Sequence, residues 1–288
     1  MSAPDSGVRG PRVLVGYDGS PSAVNAIEAA ATLLPAATAS ILHLWEPPFT
    51  SPELRHRVFD RAANPEALGR LIETEGHAEA ERMARTGVKL AQAAGWDAEP
   101  LVKRTFGGDG YQFARTAEEL GAELMVVGSR GISGMRAMGS VSELVVHVSP
   151  IPVLVVPYPL TTVEWAAAES GPVVVGTDGS PHAARALAAA TTLFPDRKRL
   201  LVAVEEQGAS ASPVEGTELV TVRCSGRPGR PRATASTLAD EAARRGAAVL
   251  VVGSRGRGGT RETLVGHVTR ALLHCAHRPV LVVPSRGA

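Results

Sequence analysis

The chain has 288 residues, 44% hydrophobic and 20% charged, with 30 Lys and Arg against 29 Asp and Glu. That is the balance of a globular protein with chain enough for two ordinary cores, and a formal charge of +1 gives no handle for nucleic acid or an anionic membrane. Two cysteines, Cys224 and Cys275, with no Cys-x-x-Cys pair between them, argue against a disulfide scaffold and a structural zinc site.

Residues 1–11 are polar with Gly and Pro and lack the apolar stretch of a signal peptide. No window reaches 18 uninterrupted apolar residues, so the expected address is the cytoplasm. Val13–Val15 reads as a short strand buried on both faces, ending at Gly16. Ser20-Pro21 supplies a helix cap and a first-turn proline, followed by Val24, Ile27, Ala31 and Leu34 at helical spacing. Ile41–Trp45 is the second strand. Asn64-Pro65-Glu66 opens a long helix whose inward residues run from Leu68 to Ala91 before Gly95 closes it. A strand near Glu99–Lys103, a helix from about Asp109 to Leu120 and a strand at Leu124–Val127 follow. A glycine-bearing loop then leads to a helix at about Val141–Val148 and a last strand, Val153–Val156.

The chain then repeats itself. Val13 to Pro21 recurs as Val173 to Pro181 at an offset of 160, Val126 to Gly131 as Val251 to Gly256 at 125, and Pro152 to Pro157 as Pro279 to Pro284 at 127. Three ordered matches imply a duplicated domain. The expected division is 1–158 and 172–288, with 159–171 a linker lacking sustained helical or strand pattern. The second copy runs through a helix to about Leu193, a strand at Leu200–Val204 and another at Glu218–Arg223, and has no counterpart of the helix that begins at Asn64. The expected fold class is therefore α/β: two open, doubly wound, Rossmann-like parallel sheets, the second copy lacking one helix. One face of the second sheet is expected to need cover from the first domain or another chain.

Ligands of open parallel sheets bind beyond the carboxyl ends of the strands, where strand order reverses. Two repeated features belong there. One is the turn Gly16-Tyr17-Asp18-Gly19 with its copy around Asp178; the other is the glycine loop, Gly128 to Gly131 and Gly253 to Gly256. Glycines let the backbone approach an anion, and helix-start amides receive it. The same glycines can equally serve tight turns, and Asp18 and Asp178 can equally bond their own backbone.

These features resemble the universal stress protein family across both halves. ATP-binding members carry Gly-x2-Gly-x9-Gly-[Ser/Thr], and the resemblance implies an adenine-nucleotide-binding fold. It implies phosphate contacts at Gly128, Gly131, Gly139, Ser140, Val141 and Ser142, a ribose contact at Asp18 after Gly16, and an adenine contact at the backbone of Leu44; Arg130 and Arg255, repeated in the glycine loop, suit phosphate pairing or equally a solvated loop. The first copy has seven residues, not nine, between Gly131 and Gly139. The second keeps nine between Gly256 and Gly266 but has His267 in place of the hydroxyl residue. A weaker second site would comprise Asp178, Gly253, Arg255, Gly256, Gly266 and His267.

The implied function is a stress-response regulator that binds ATP, with or without Mg2+, without dedicated catalysis; no Walker sequence, Gly-x-Ser-x-Gly elbow or His-Glu-x-x-His occurs. A ligand-free scaffold and a binder of another adenine nucleotide, such as cyclic AMP, are the alternatives. His147 and His274 occupy equivalent positions without further metal ligands in reach, and no metal site is expected. Arg223, Arg227, Arg230 and Arg232 lack interleaved aromatics and read as a solvated loop rather than a nucleic-acid patch. Trp45, Trp96 and Trp165 are packing residues. Family resemblance further implies that Val153–Val156 and Val280–Val283 pair within the chain, covering two apolar edges; a homodimer beyond that stays open.

Overall fold

The computed structural model describes residues 10–47, 51–129, 139–205, 212–225, 229–256 and 265–285; Ser140 is described by its backbone. The first half runs β1 (Arg12–Gly16), α1 (Pro21–Leu33), β2 (Thr38–Trp45), α2 (Pro52–Arg61), α3 (Pro65–Ala93), β3 (Asp97–Arg104), α4 (Asp109–Leu120), β4 (Leu124–Gly128), α5 (Ser140–Val148) and β5 (Val153–Val156). Then come α6 (Thr162–Ser170), β6 (Val173–Gly176), α7 (Pro181–Leu193), β7 (Arg199–Glu205), β8 (Glu218–Arg223), α8 (Pro231–Arg244), β9 (Val249–Gly253), α9 (His267–Cys275) and β10 (Val280–Val283).

Helix starts follow local chemistry. The Ser20 hydroxyl accepts from Ala23 N–H, the Asn64 side chain from Ala67 N–H and the Ser180 hydroxyl from Ala183 N–H, each just before a first-turn proline. The same signal, Ser51-Pro52, opens α2, a helix absent from the sequence reading. Its single buried residue, Val58, gives too little apolar periodicity to be seen.

All ten strands form one sheet in the order β3-β2-β1-β4-β5-β10-β9-β6-β7-β8. Within each half the strands are parallel, so the two expected sheets exist but are continuous. The seam is antiparallel, with Val155 opposite Val280, Leu154 opposite Leu281 and Val153 opposite Val282. The expected pairing of the last strands is therefore present, and both edges are covered inside one chain. Leu154 and Leu281 are fully buried, and one apolar cluster runs from Val13, Ile27 and Ile41 in the first half to Val173, Ala186 and Leu201 in the second.

Two expectations change. The linker region is not patternless: α6 fills most of it, opened by a capping box between Thr161 and Glu164. Its carboxyl end is held by Arg197, whose guanidinium donates to the carbonyls of Ala168 (2.8 Å) and Gly171 (2.9 Å). The helix escapes a sequence reading because three consecutive alanines blur its stripe. The second change concerns the face lacking an α3 counterpart, which needs no large apolar cover. Ile27 and Ala31 of α1 are buried, whereas their equivalents on α7 are half-buried Leu187 and exposed Thr191, and Thr221 and Arg223 are exposed on β8. None of the large hydrophobic residues exposed among the described residues lies on α7, β7 or β8.

Candidate functional site

Strand order reverses between β1 and β4 in the first half and between β6 and β9 in the second, so a crevice opens at the carboxyl ends of each pair. Gly19 turns the chain there with φ of 80°, a conformation that favours glycine, and Gly179 repeats it at 75°. In both turns the aspartate bonds its own loop: Asp18 Oδ1 accepts from Ser20 N–H and Asp178 Oδ1 from Ser180 N–H, each at 3.0 Å. One oxygen of each carboxylate thus holds the turn, which is the local reading of these aspartates.

Gly128 ends β4 against α1. A Cβ there would lie 2.4 Å from Ser22 Oγ and 2.8 Å from the Ser22 carbonyl oxygen, so this glycine first serves close helix-strand contact. The Ser142 hydroxyl is buried and donates to the Gly128 carbonyl at 2.7 Å; Thr269 does the same to Gly253 at 2.9 Å. Ser142 is thus a tie between α5 and β4, and its proton is unavailable to a phosphate while that bond stands. Gly139 N–H donates to the Ser129 carbonyl, and Ser129 N–H to that of Val156. Among the described residues the first-turn amides of Ser140, Val141 and Ser142 have no partner: Gly139 brings no side chain to cap them, and the intrahelical ladder begins with Glu143 N–H to the Gly139 carbonyl. Arg130 and Gly131 lie outside the described residues.

The Leu44 backbone edge is set by a residue that sequence reading missed. Tyr17 N–H bonds the Leu42 carbonyl, which puts the backbone groups of Leu42 and Leu44 on the β1 side. The next rung would join Leu44 N–H to the Tyr17 carbonyl. Instead His43 Nδ1–H donates to that carbonyl at 2.8 Å, so the ladder stops and the Leu44 backbone faces the crevice beyond it. His43 is buried against α3, and burial pushes its pKa below the usual histidine value, opposed by the Tyr17 bond and by Asp18 and Glu79. The second half has Ala203 at this position, so the device belongs to one half. A hint lay in the sequence: a histidine inside an otherwise apolar strand needs a partner.

Stability should depend on pH through this residue. A histidine kept neutral in the native state takes up its proton more readily when unfolded, so its contribution is whole above about pH 6.5 and fades as pH falls toward the lowered native pKa. Between pH 7.5 and 5.5, urea stability should fall with a slope from this group of at most about 1.4 kcal/mol per pH unit. His43→Gln should flatten that slope; equal slopes in both proteins would count against the assignment.

The second crevice is arranged alike. Gly266 N–H donates to the Ser254 carbonyl, and α9 starts at His267 without a side-chain cap. A Cβ on Gly256 would sit 2.6 Å from Asp178 Oδ2, so the glycine loop and the aspartate meet directly across the gap. Arg255 Nε and His182 Nδ1 are buried without hydrogen-bond partners among the described residues. Elsewhere, Cys224 and Cys275 are free thiols, and no group of three His, Cys, Asp or Glu gathers among the described residues. Arg223 pairs with Glu205 at 3.7 Å, Arg230 and Arg232 are exposed, and Arg227 lies outside the described residues. No described helix is long and apolar enough to cross a membrane.

Comparison with known proteins is consistent with this geometry. A family model described as the universal stress protein family matches residues 11–157 and 202–284. A universal stress protein of Mycobacterium tuberculosis is 32% identical over 243 residues, covering 76% of this chain and 80% of that protein. Universal stress protein YxiE of Bacillus subtilis is 35% identical over 150 residues, half of this chain and 97% of that one. The crystal structure of a universal stress protein from Archaeoglobus fulgidus aligns with a TM-score of 0.66 over 96% of this chain and 97% of that chain, at 19% identity, a likeness of fold.

Proposed function

The chain belongs to the universal stress protein family, and from that premise we propose that its first half binds an adenine nucleotide, ATP foremost, as a regulator without turnover. The observation that carries the reading is the meeting of three features at one switch point. In this reading the uncapped start of α5 would take phosphate, the Leu44 backbone edge a base and the second Asp18 oxygen a ribose hydroxyl. Mg2+ would arrive with the triphosphate, with Asp18 as its candidate carboxylate. A stress-response role in the cytoplasm fits a regulator of this kind. The second half is the weaker site, because Gly256 abuts Asp178 and His267 replaces a hydroxyl.

A ligand-free scaffold is the second reading, favoured by the internal engagement of Asp18, Gly139 N–H and Ser142. Calorimetry with ATP and with cyclic AMP, on protein freed of co-purified ligand, separates the readings. Ser140→Pro tests the amide contact itself. Proline is tolerated at the first helical position, and Gly139 already has the extended backbone (φ −62°, ψ 145°) that a following proline requires. Loss of one amide bond to a charged phosphate should weaken ATP by roughly tenfold or more, with the circular dichroism spectrum unchanged. Ser140→Ala isolates the hydroxyl. Tight ATP binding by the proline variant would remove α5 from the site.

A further inference from the structure

The seam between the halves has a pseudo-two-fold axis. Positions 127 apart are equivalent in this region, and Leu154 faces its own equivalent, Leu281, while Val153 and Val155 face Val282 and Val280. The axis therefore passes through the Leu154–Leu281 pair. The strands, both reading Val-Leu-Val-Val, carry no information about which copy should meet which. A first half could as well meet the first half of another chain, and a second half another second half, through the same rungs.

The asymmetry lies in the helices above the seam. Glu143 of α5 and Arg270 of α9 are equivalent positions, again 127 apart, and they meet each other: Arg270 Nη2 donates to Glu143 Oε1 at 2.6 Å. Glu143 is mostly covered, with 28% of its side chain exposed, against 58% for Arg270. A residue that meets its own equivalent across a two-fold axis meets an identical residue whenever like halves pair. Glu143 would then oppose Glu143, and Arg270 would oppose Arg270. Only the unlike pairing brings opposite charges together.

We propose that the Glu143–Arg270 pair selects pairing of unlike halves, so that the seam closes within one chain and rejects like-with-like association with a second copy. The attraction itself is modest for a partly exposed pair. Its effect on choice is larger, because the rejected pairings exchange attraction for repulsion while the strand rungs stay the same.

Full-length charge variants test this. Glu143→Arg and Arg270→Glu each place like charges at the seam and should lower the urea midpoint, and the double exchange E143R/R270E should restore it. The decisive step refolds the E143R and R270E chains together. One chain then carries only arginine at the two seam positions and the other only glutamate, so opposite charges meet only when the two different chains pair. Sedimentation should show at least about threefold more two-chain species in the mixture than in either protein alone at equal concentration. A restored midpoint with no such enrichment would overturn the proposal and reduce the pair to a stabilising contact; so would a double exchange that restores nothing. If the charge-reversed chains do not refold, E143Q/R270Q serves instead. It should associate more than both the wild type and the double exchange after refolding, and equal association of the three would overturn the proposal.

Discussion

Replacing Leu154 with aspartate is expected to uncouple the halves and remove about 4 kcal/mol or more of stability, a large share of what an ordinary domain has. Leu154 is fully buried at the centre of the seam, opposite fully buried Leu281, within the apolar cluster that spans both halves. A carboxylate there has no cationic partner among the strand residues beside it, Val126 of β4 and Leu281 of β10. Leu154→Ala should cost about 2–5 kcal/mol as a cavity, and Leu154→Met less than about 1.5 kcal/mol. Urea unfolding followed by both tryptophan fluorescence and circular dichroism checks the series. The three tryptophans, Trp45, Trp96 and Trp165, precede β6, so they report the first half and α6. If the halves uncouple, the fluorescence transition should separate from the circular dichroism transition in Leu154→Asp. Coincident, wild-type-like transitions would show that the seam contributes little.

The second large effect is expected from Gly128→Val. Its Cβ would meet Ser22 Oγ at 2.4 Å and Ser22 backbone atoms at 2.8 and 2.9 Å, and the backbone atoms cannot rotate away. Helix α1 must shift from β4, at a cost of about 3 kcal/mol. The equivalent Gly253→Val meets His182 Cβ and its carbonyl oxygen at 3.0 Å and should cost less. Gly69→Ala in α3 is the contrast: nothing lies within 4 Å of its Cβ, and it should stabilise by about 0.5–1 kcal/mol. Melting curves of the three variants give the order. A Gly128→Val protein as stable as the wild type would mean that α1 and β4 are not so close. Any loss of nucleotide affinity in that variant reads as displacement of α1, since this glycine contacts a helix.

How much of this was legible beforehand depended on the range of the interaction. Both copies of the glycine turn, the first-turn prolines and the alternation of buried strands with capped helices are written in residues within a few positions of one another, and they placed nearly every strand and helix within a few residues. Helix α6 escaped because its alanines hide the stripe, and α2 because one buried residue does not make one. At the site, the sequence singled out Asp18, Gly128 and Ser142 by type, but it could not say which of their hydrogen-bonding atoms were already engaged.

The sequence alone determined the duplicated α/β architecture, because periodicity, caps and turn residues act along the chain; the partnership of the last strands came from the family resemblance those residues carry. The tertiary structure alone decided that Ser142 ties down Gly128, 14 residues away, and that His43 takes the Tyr17 carbonyl from Leu44. It also decided that Glu143 meets Arg270 across the seam. Each of those pairings depends on which strands lie side by side and on which face a helix settles, and that follows from burying the whole core at once rather than from any local stretch of residues.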